Sequence, residues 1–357
     1  MQWRGDKLQS HITQKGLTQE RFADLIGVTR QTLSAWIKGQ VPKGVHLIHI
    51  WEKLEVEAKE FFDPPSSPLK SFVMHRTYGA SKKSDALTKA ANELAGSYSG
   101  LFDDTDAPVL QVFAPQRTDE AAEKLAFELR KLMGLENSSD PPKLQHVFKL
   151  FSELKICVIL HAFPEEIKDY AFYIQLHGMR VVFVNTEKAR MDMTFALLHE
   201  IVHAIRSCGH TEDVTDEQED KFCDKVAGLV QIPDAYLRNI KIALQKKEKR
   251  EFMKTLKEFA KLHEHAVLGL AKRMGYKDNL KPYILADATL RKESPKLVTL
   301  LESDEPSVYL KKLEDLSPLW FAVIKRHYAS VSMSRLAQYL DISHLDARRV
   351  VDVLNAL

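Results

Sequence analysis

The chain has 357 residues, 45% of them hydrophobic, with 51 Lys and Arg against 49 Asp and Glu for a formal net charge of +2. At roughly 100–200 residues per domain this length suits two or three domains, and the apolar share excludes wholesale disorder. No apolar run reaches the about 18 residues of a spanning helix, MQWRGDKLQSHITQKG lacks the apolar stretch of a secretory signal, and three cysteines (Cys157, Cys208, Cys223) build no disulfide framework. These features lead us to expect a cytoplasmic protein with no membrane partner. The near-balance of charge means that any nucleic-acid surface must be local.

Residues 1–62 read as short helices with tight connections, and Asp63-Pro64-Pro65-Ser66-Ser67-Pro68 as a linker. Ser84–Leu94 reads as a helix and Pro108–Phe113 as a short strand. Thr118-Asp119-Glu120 then caps a helix with apolar residues at 121, 122, 125, 126, 129 and 132. Asn137–Pro142 is a loop, Lys143–Leu154 a helix, and the β-branched run Lys155–Leu160 a strand. Phe172–Leu176 and Arg180–Asn185 flank His177-Gly178 as a hairpin. Met191–Cys208 is a strongly apolar helix, and Glu217–Leu229 another, closed by Ile232-Pro233. Residues 234–357 are mostly helical and more charged, with breaks at Gly275, Pro282, Pro295, Pro306 and Pro318. No internal repeat of fixed period is visible.

Within Leu17–Trp36, Ala23 sits mid-helix where a second helix must cross closely. Gly27 falls where the chain must turn sharply. Val28, Leu33 and Trp36 anchor the following helix, which leaves Thr29, Arg30, Gln31, Ser34 and Lys38 on its free face. Arg and Gln suit base-edge hydrogen bonds in a major groove, and Gln19 is placed to reach a phosphate. The competing interpretation is a helical bundle that binds protein, since the first 60 residues carry nine Lys/Arg against seven Asp/Glu. Residues 7–62 nevertheless closely resemble an XRE-type (Cro/C1-like) helix-turn-helix domain, which implies five helices, double-stranded operator DNA as partner, and a possible homodimer.

His199-Glu200-Ile201-Val202-His203 lies in the apolar stretch FALLHEIVHAI. Two His four apart differ by about 40° around a helix, so both imidazoles face one point and can bind Zn²⁺. Glu200 is positioned to take a proton from activated water. The alternative is a chance HExxH in a buried helix. His210 does not complete the longer HExxHxxGxxH spacing and reads as a loop residue. The third ligand is then sought on Glu217–Asp224, whose inward face is Phe222, Cys223, Val226, Ala227 and Val230. Asp220 is the candidate ligand, with Asp224 accepting a hydrogen bond from a ligand His. Glu219 competes for the ligand role, and a merely solvated acidic first turn is the plain alternative.

Residues about 118–235 resemble the ImmA/IrrE family of metallopeptidases, through AAEKLAFELR, VVFVN ending in Asn185, TFALLHEIVHAI and DKFCDKVAGLVQIP. The family pattern Glu-x-x-x-Asn falls on Asp220 and Asp224, so Asp replaces Glu one methylene shorter, and Gln231 replaces an apolar residue. The resemblance implies a cytoplasmic zinc endopeptidase that cleaves a helix-turn-helix repressor and so releases a stress, prophage or mobile-element programme. Fusions to an XRE domain resemble regulators or antitoxins, so the alternative is a non-proteolytic regulator whose peptidase-like domain binds a partner toxin.

Leu256–Met274 is amphipathic, and His263 and His265 within it read as surface or groove residues. Val331–Leu354 also scans as helix-turn-helix, with Arg348 and Arg349 on its second helix; a three-helix packing element or a dimerisation cap fits the same pattern. The expected fold is mainly α with a small β-sheet. A DNA-binding domain (1–63) and a connecting segment (64–117) precede a zincin-like domain (118–240) and a helical C-terminal region (241–357).

Overall fold

The turn chemistry of the first 60 residues sets the N-terminal helices. The computed structural model describes residues 3, 5–42, 44–54, 56, 61, 74–75, 85–102, 116–206, 216–245 and 247–356. It divides into two units, Met1–Lys70 and Ser71–Leu357. The first holds α1 (Gly5–Gln14), α2 (Gln19–Leu25), α3 (Arg30–Ile37) and α4 (Gly44–Leu54). Thr18 Oγ1 accepts from Arg21 N at 3.2 Å and Thr29 Oγ1 from Thr32 N at 3.1 Å, which satisfies exposed donors at the starts of α2 and α3. Between them Gly27 adopts φ 70°, the left-handed conformation that ends α2 without steric cost. Gly5 is required for another reason, because a Cβ there would lie 2.3 Å from the carbonyl oxygen of Ile37. Leu8, Ile12, Phe22, Ala23, Leu33 and Trp36 form the core of this unit. Of the five helices that the resemblance implies, four are described in this unit, the last ending at Leu54, and residues 57–60 lie outside the described residues.

The second unit begins with β1 (Met74–His75) and α5 (Asp85–Tyr98), the latter running four residues past its expected end. Pro108–Phe113 lies outside the described residues. Then come α6 (Asp119–Leu132), α7 (Leu144–Glu153), β2 (Cys157–His161), β3 (Ala171–Leu176), β4 (Met179–Asn185), α8 (Arg190–Arg206) and α9 (Asp216–Gln231). The remainder is α10 (Asp234–Leu244), α11 (Lys249–Leu262), α12 (Val267–Arg273), α13 (Lys281–Glu293), α14 (Pro306–Leu316), α15 (Pro318–His327), α16 (Met333–Leu340) and α17 (His344–Leu354). The architecture is thus mainly helical with one small sheet, as the sequence pattern leads one to expect.

The sheet order is β1-β3-β4-β2. β3 and β4 form an antiparallel hairpin closed by His177 (φ 46°) and Gly178 (φ 84°), both left-handed as a tight two-residue turn requires. β2 joins β4 in parallel, and β4 is buried along its whole length. Lys155 (φ 55°) turns the chain out of α7, which moves the start of β2 to Cys157. α8 lies on β3 and β4, and α9 packs against α8 and α6. Buried Arg130 secures this stack, donating to the carbonyls of Val230, Leu135, Ser138 and Asp140 at 2.7–3.2 Å.

Residues after 240 are stitched onto those before. Arg291 donates to both carboxylate oxygens of buried Asp192, at 2.6 and 3.1 Å. Leu297 N and Val298 N donate to the carbonyls of Lys188 and Thr186, both at 2.9 Å, and Ser317 Oγ donates to Val158 O at 2.6 Å. The stretch Leu256–Met274 is not one helix. It breaks between α11 and α12 at Glu264 (φ 47°), where Asp287 accepts from Val267 N at 2.6 Å and Leu268 N at 3.2 Å and so caps α12. The break also turns His265 inward. It is fully buried beside the Tyr236 hydroxyl at 3.0 Å, not a surface residue.

Candidate metal centre and nucleic-acid interface

The seventeen-residue helix α8 is buried on nearly every side from Met191 to Ile205 because it is sandwiched between the sheet and α9. His199, Glu200 and His203 are 3%, 1% and 2% exposed. The helical spacing brings the two Nε2 atoms of His199 and His203 to 2.8 Å from each other. Across from them α9 presents Asp220, whose Oδ1 is 3.1 Å from His203 Nε2 and 4.0 Å from His199 Nε2. Ligand atoms about 2.0–2.1 Å from a tetrahedral ion stand about 3.3–3.4 Å apart, and these three separations bracket that value. The residues present therefore fit a divalent cation such as Zn²⁺.

The other ring nitrogens face α9 as well. His199 Nδ1 is 2.9 Å from Asp224 Oδ1, an arrangement in which the ring donates to the carboxylate and leaves Nε2 with its lone pair. His203 Nδ1 is 3.5 Å from Cys223 Sγ. Burial pushes the Cys223 thiol well above its ordinary value, and the charge of Glu219 adds to the effect. Glu219 accepts from Arg206 Nε at 2.5 Å and Arg117 Nε at 2.6 Å, while Arg206 stacks 4.3 Å over the Phe222 ring. Burial alone would raise the Glu219 carboxyl. The two guanidiniums outweigh it and hold the group below the usual range. His203, Glu219 and Cys223 also converge, but a carboxylate already shared by two arginines makes a poorer cation ligand than Asp220 beside the paired Nε2 atoms.

The structure thus brings His199, His203, Asp220 and Asp224 together, with Glu200 buried on the same helix. Cys208 and His210 lie outside the described residues. Sequence reasoning missed that Cys223, Arg206 and Arg117 support the centre. The available signal was that 219, 220, 223 and 224 share one face of a helix, so a ligand at 220 implies supporting contacts from its neighbours.

In the N-terminal unit, Thr29, Arg30, Gln31 and Lys38 are exposed and Ser34 is half-buried, while Leu33 and Trp36 are buried beneath them. Gln19 Nε2 donates to Gln9 Oε1 at 2.5 Å, which ties the start of α2 to α1 and holds that amide at the surface.

Comparison with known families fits this division. A helix-turn-helix family model matches residues 9–61, and the model of the IrrE N-terminal-like domain matches residues 151–268. The chain fuses a helix-turn-helix domain to an IrrE N-terminal-like domain. No curated protein and no solved structure gives a match. The helix-turn-helix match supports binding to double-stranded DNA, and the second match supports a peptidase-like domain. The latter runs through α8 and α9 and on into α12, so it takes in every residue of the candidate metal centre except Arg117. None of the described helices is long and apolar enough to cross a membrane.

Proposed function

We propose that the protein is a DNA-binding regulator whose IrrE N-terminal-like domain is a zinc-dependent endopeptidase acting on a protein partner, such as a helix-turn-helix repressor. The observation that carries this reading is the convergence of His199 Nε2, His203 Nε2 and Asp220 Oδ1 within 4.0 Å of one another on the helix pair that also holds Glu200. Zn²⁺ held by these three residues would supply Lewis acidity toward water and a peptide carbonyl. Asp224 fixes the rotation of the His199 ring, and Cys223 lies against the far nitrogen of His203. Glu200 carries the proton, taking it from water on a carboxylate oxygen and delivering it to the departing amine. In the N-terminal unit Arg30 and Gln31 read base edges, Thr29, Ser34 and Lys38 flank them, and Gln19 contacts a phosphate.

One observation favours a second reading, a regulator or antitoxin that grips a partner toxin without cutting it. Asp220 reaches His199 only at 4.0 Å, as expected for a side chain shorter than the Glu of the family pattern. Metal analysis and a cleavage assay decide between the two. On the endopeptidase reading the expected result is about one equivalent of zinc and cleavage of a protein encoded beside its own gene. Glu200→Gln keeps the zinc and loses about 10²–10⁴-fold in cleavage rate. Zinc-free protein, or equal cleavage by the Gln variant, overturns the endopeptidase reading.

A further inference from the structure

The helix pair α16–α17 reproduces the local structure of α2–α3 at a constant offset of 314 residues. Thr18 caps α2 through Arg21 N at 3.2 Å, and Ser332 caps α16 through Arg335 N at 3.3 Å. Gly27 (φ 70°) makes the first turn and Asp341 (φ 54°) the second. The hydrogen bonds closing the turns correspond, Val28 N to Ala23 O at 3.0 Å and Ile342 N to Ala337 O at 3.1 Å. Thr29 and Ser343 then cap the second helices, each accepting at 3.1 Å, from Thr32 N and Asp346 N. Phe22, Ala23 and Ile26 are buried, as are Leu336, Ala337 and Leu340. The same holds for Leu33 and Trp36 against Ala347 and Val350. From 17–38 to 331–352 the pattern of burial departs at three places only, Leu25/Tyr339, Ser34/Arg348 and Ala35/Arg349. At the last two the C-terminal copy is the more exposed. Arg and Ala at 21/335 and 23/337 are the only identities between Thr18–Lys38 and Ser332–Asp352, so the repeat is one of caps, turn and burial and not of residue identity.

What the second copy presents differs from the first in chemistry but not in kind. The places of Arg30, Gln31 and Ser34 are taken by His344, Leu345 and Arg348, all exposed, with Leu345 at 68%. Arg335 and Arg349 are exposed as well; Arg335 donates to the Tyr339 hydroxyl at 3.2 Å, while Arg349, at the place of Ala35, donates to Asp304 O at 2.9 Å. Two acids share α17. Asp346 is engaged by Ser343 Oγ at 2.6 Å and Arg349 at 3.5 Å, and Asp352 stands where α3 has Lys38. Asp341 turns its carboxylate away from this face, to Ala162 N at 2.6 Å and His161 at 3.2 Å. A face with two arginines, a histidine and one bare leucine suits a polyanion with methyl groups on its edges. An apolar protein groove would select more than a single leucine.

We infer that α16–α17 is a second reader of duplex DNA. α17 enters the major groove, Arg348 addresses a guanine edge, Leu345 a thymine methyl, and Arg335 the phosphates. Two readers on one chain make the second contact intramolecular, which raises overall affinity without either being strong alone. The inference rests on the reading of the N-terminal unit as a DNA reader only for its template.

The full-length chain is used to select duplexes from a random-sequence library, and binding to the selected duplex is then titrated against salt. Arg348→Ala lowers affinity about 5- to 100-fold, reduces the slope of log affinity on log salt by about 1, and relaxes the selected sequence at one position. Arg348→Lys recovers the slope but not the sequence preference. The Arg30→Ala/Gln31→Ala variant serves as a separate arm. If it binds as well as wild type while Arg348→Ala does not, the N-terminal reading fails and this one stands. If Arg348→Ala and His344→Ala both leave affinity, salt slope and selected sequence unchanged, α17 does not read DNA. A change confined to the oligomeric state overturns the inference in the same way. Both positions are exposed, so an unchanged melting temperature confirms that the variants are folded.

Discussion

In α3 the side chains offered to a partner, Arg30 and Gln31, stand exposed over an inner face fixed by Leu33 and Trp36. In α8 the side chains offered to a metal are themselves interior, packed among the sheet and α9. The face proposed to read DNA can therefore change its residues with little effect on folding, because its positioning is done by other side chains. The proposed metal centre has no such separation in its two histidines, since His199 and His203 are core residues and the second nitrogen of each is a contact between helices.

Substitutions can break or sharpen that contrast. The largest effects belong to buried ionisable groups of the second unit. Burial lowers the pKa of His265 to about 4, and raises that of Asp287 to about 6. Neutral His265 contributes stability above its unfolded value of 6.5 that is lost as pH falls toward 4. Asp287 acts oppositely, because its folded form holds a proton that the unfolded form releases above 3.8, so its contribution declines as pH rises toward 6. The two slopes offset each other in the intact protein. His265→Phe unmasks the Asp287 slope and becomes more stable from pH 6 to 4, whereas Asp287→Asn becomes less stable over the same interval, each by on the order of 2–3 kcal/mol in denaturant titrations. Equal slopes in both variants would contradict the assignment.

The next effect is at the metal centre. Asp224→Ala lowers zinc affinity about ten- to hundredfold, about 1.4–2.7 kcal/mol, in competition with a chelator, while Asp224→Asn retains most of it because an acceptor remains for His199 Nδ1. Loss of the carboxylate without any change in affinity would show that the His199 ring is oriented by something else. The smallest effect is outside. Arg30→Ala shifts folding stability by less than about 0.5 kcal/mol yet weakens duplex binding about tenfold. A large drop in melting temperature would mean that α3 has no face free of structural duty.

Those same contrasts explain what the sequence discloses. The N-terminal unit is legible because its signals are local: a glycine at 27, and apolar residues at helical spacing around it. The pairing of His199 with His203 is legible for the same reason. Asp220 and Asp224 emerge from one face of a helix and from family likeness, but their partners do not. Nothing near 219 in sequence announces that Arg117, 102 positions earlier, donates to Glu219. Leu256–Met274 reads as one helix because its apolar spacing is continuous. The break comes from Asp287, a residue of another helix that offers the backbone of Val267 and Leu268 a better partner. The buried role of His265 follows from that break and is equally remote from local pattern.

The turn at Asp341 has a practical consequence for anyone dissecting the protein. A left-handed backbone at a residue other than glycine costs on the order of 1 kcal/mol, and here the carboxylate is anchored by Ala162 and His161 in the segment that ends β2. Excising α16–α17 for separate expression discards that anchor and leaves the strained corner unsupported. The pair is built to be presented by the sheet, and its behaviour belongs to the intact polypeptide.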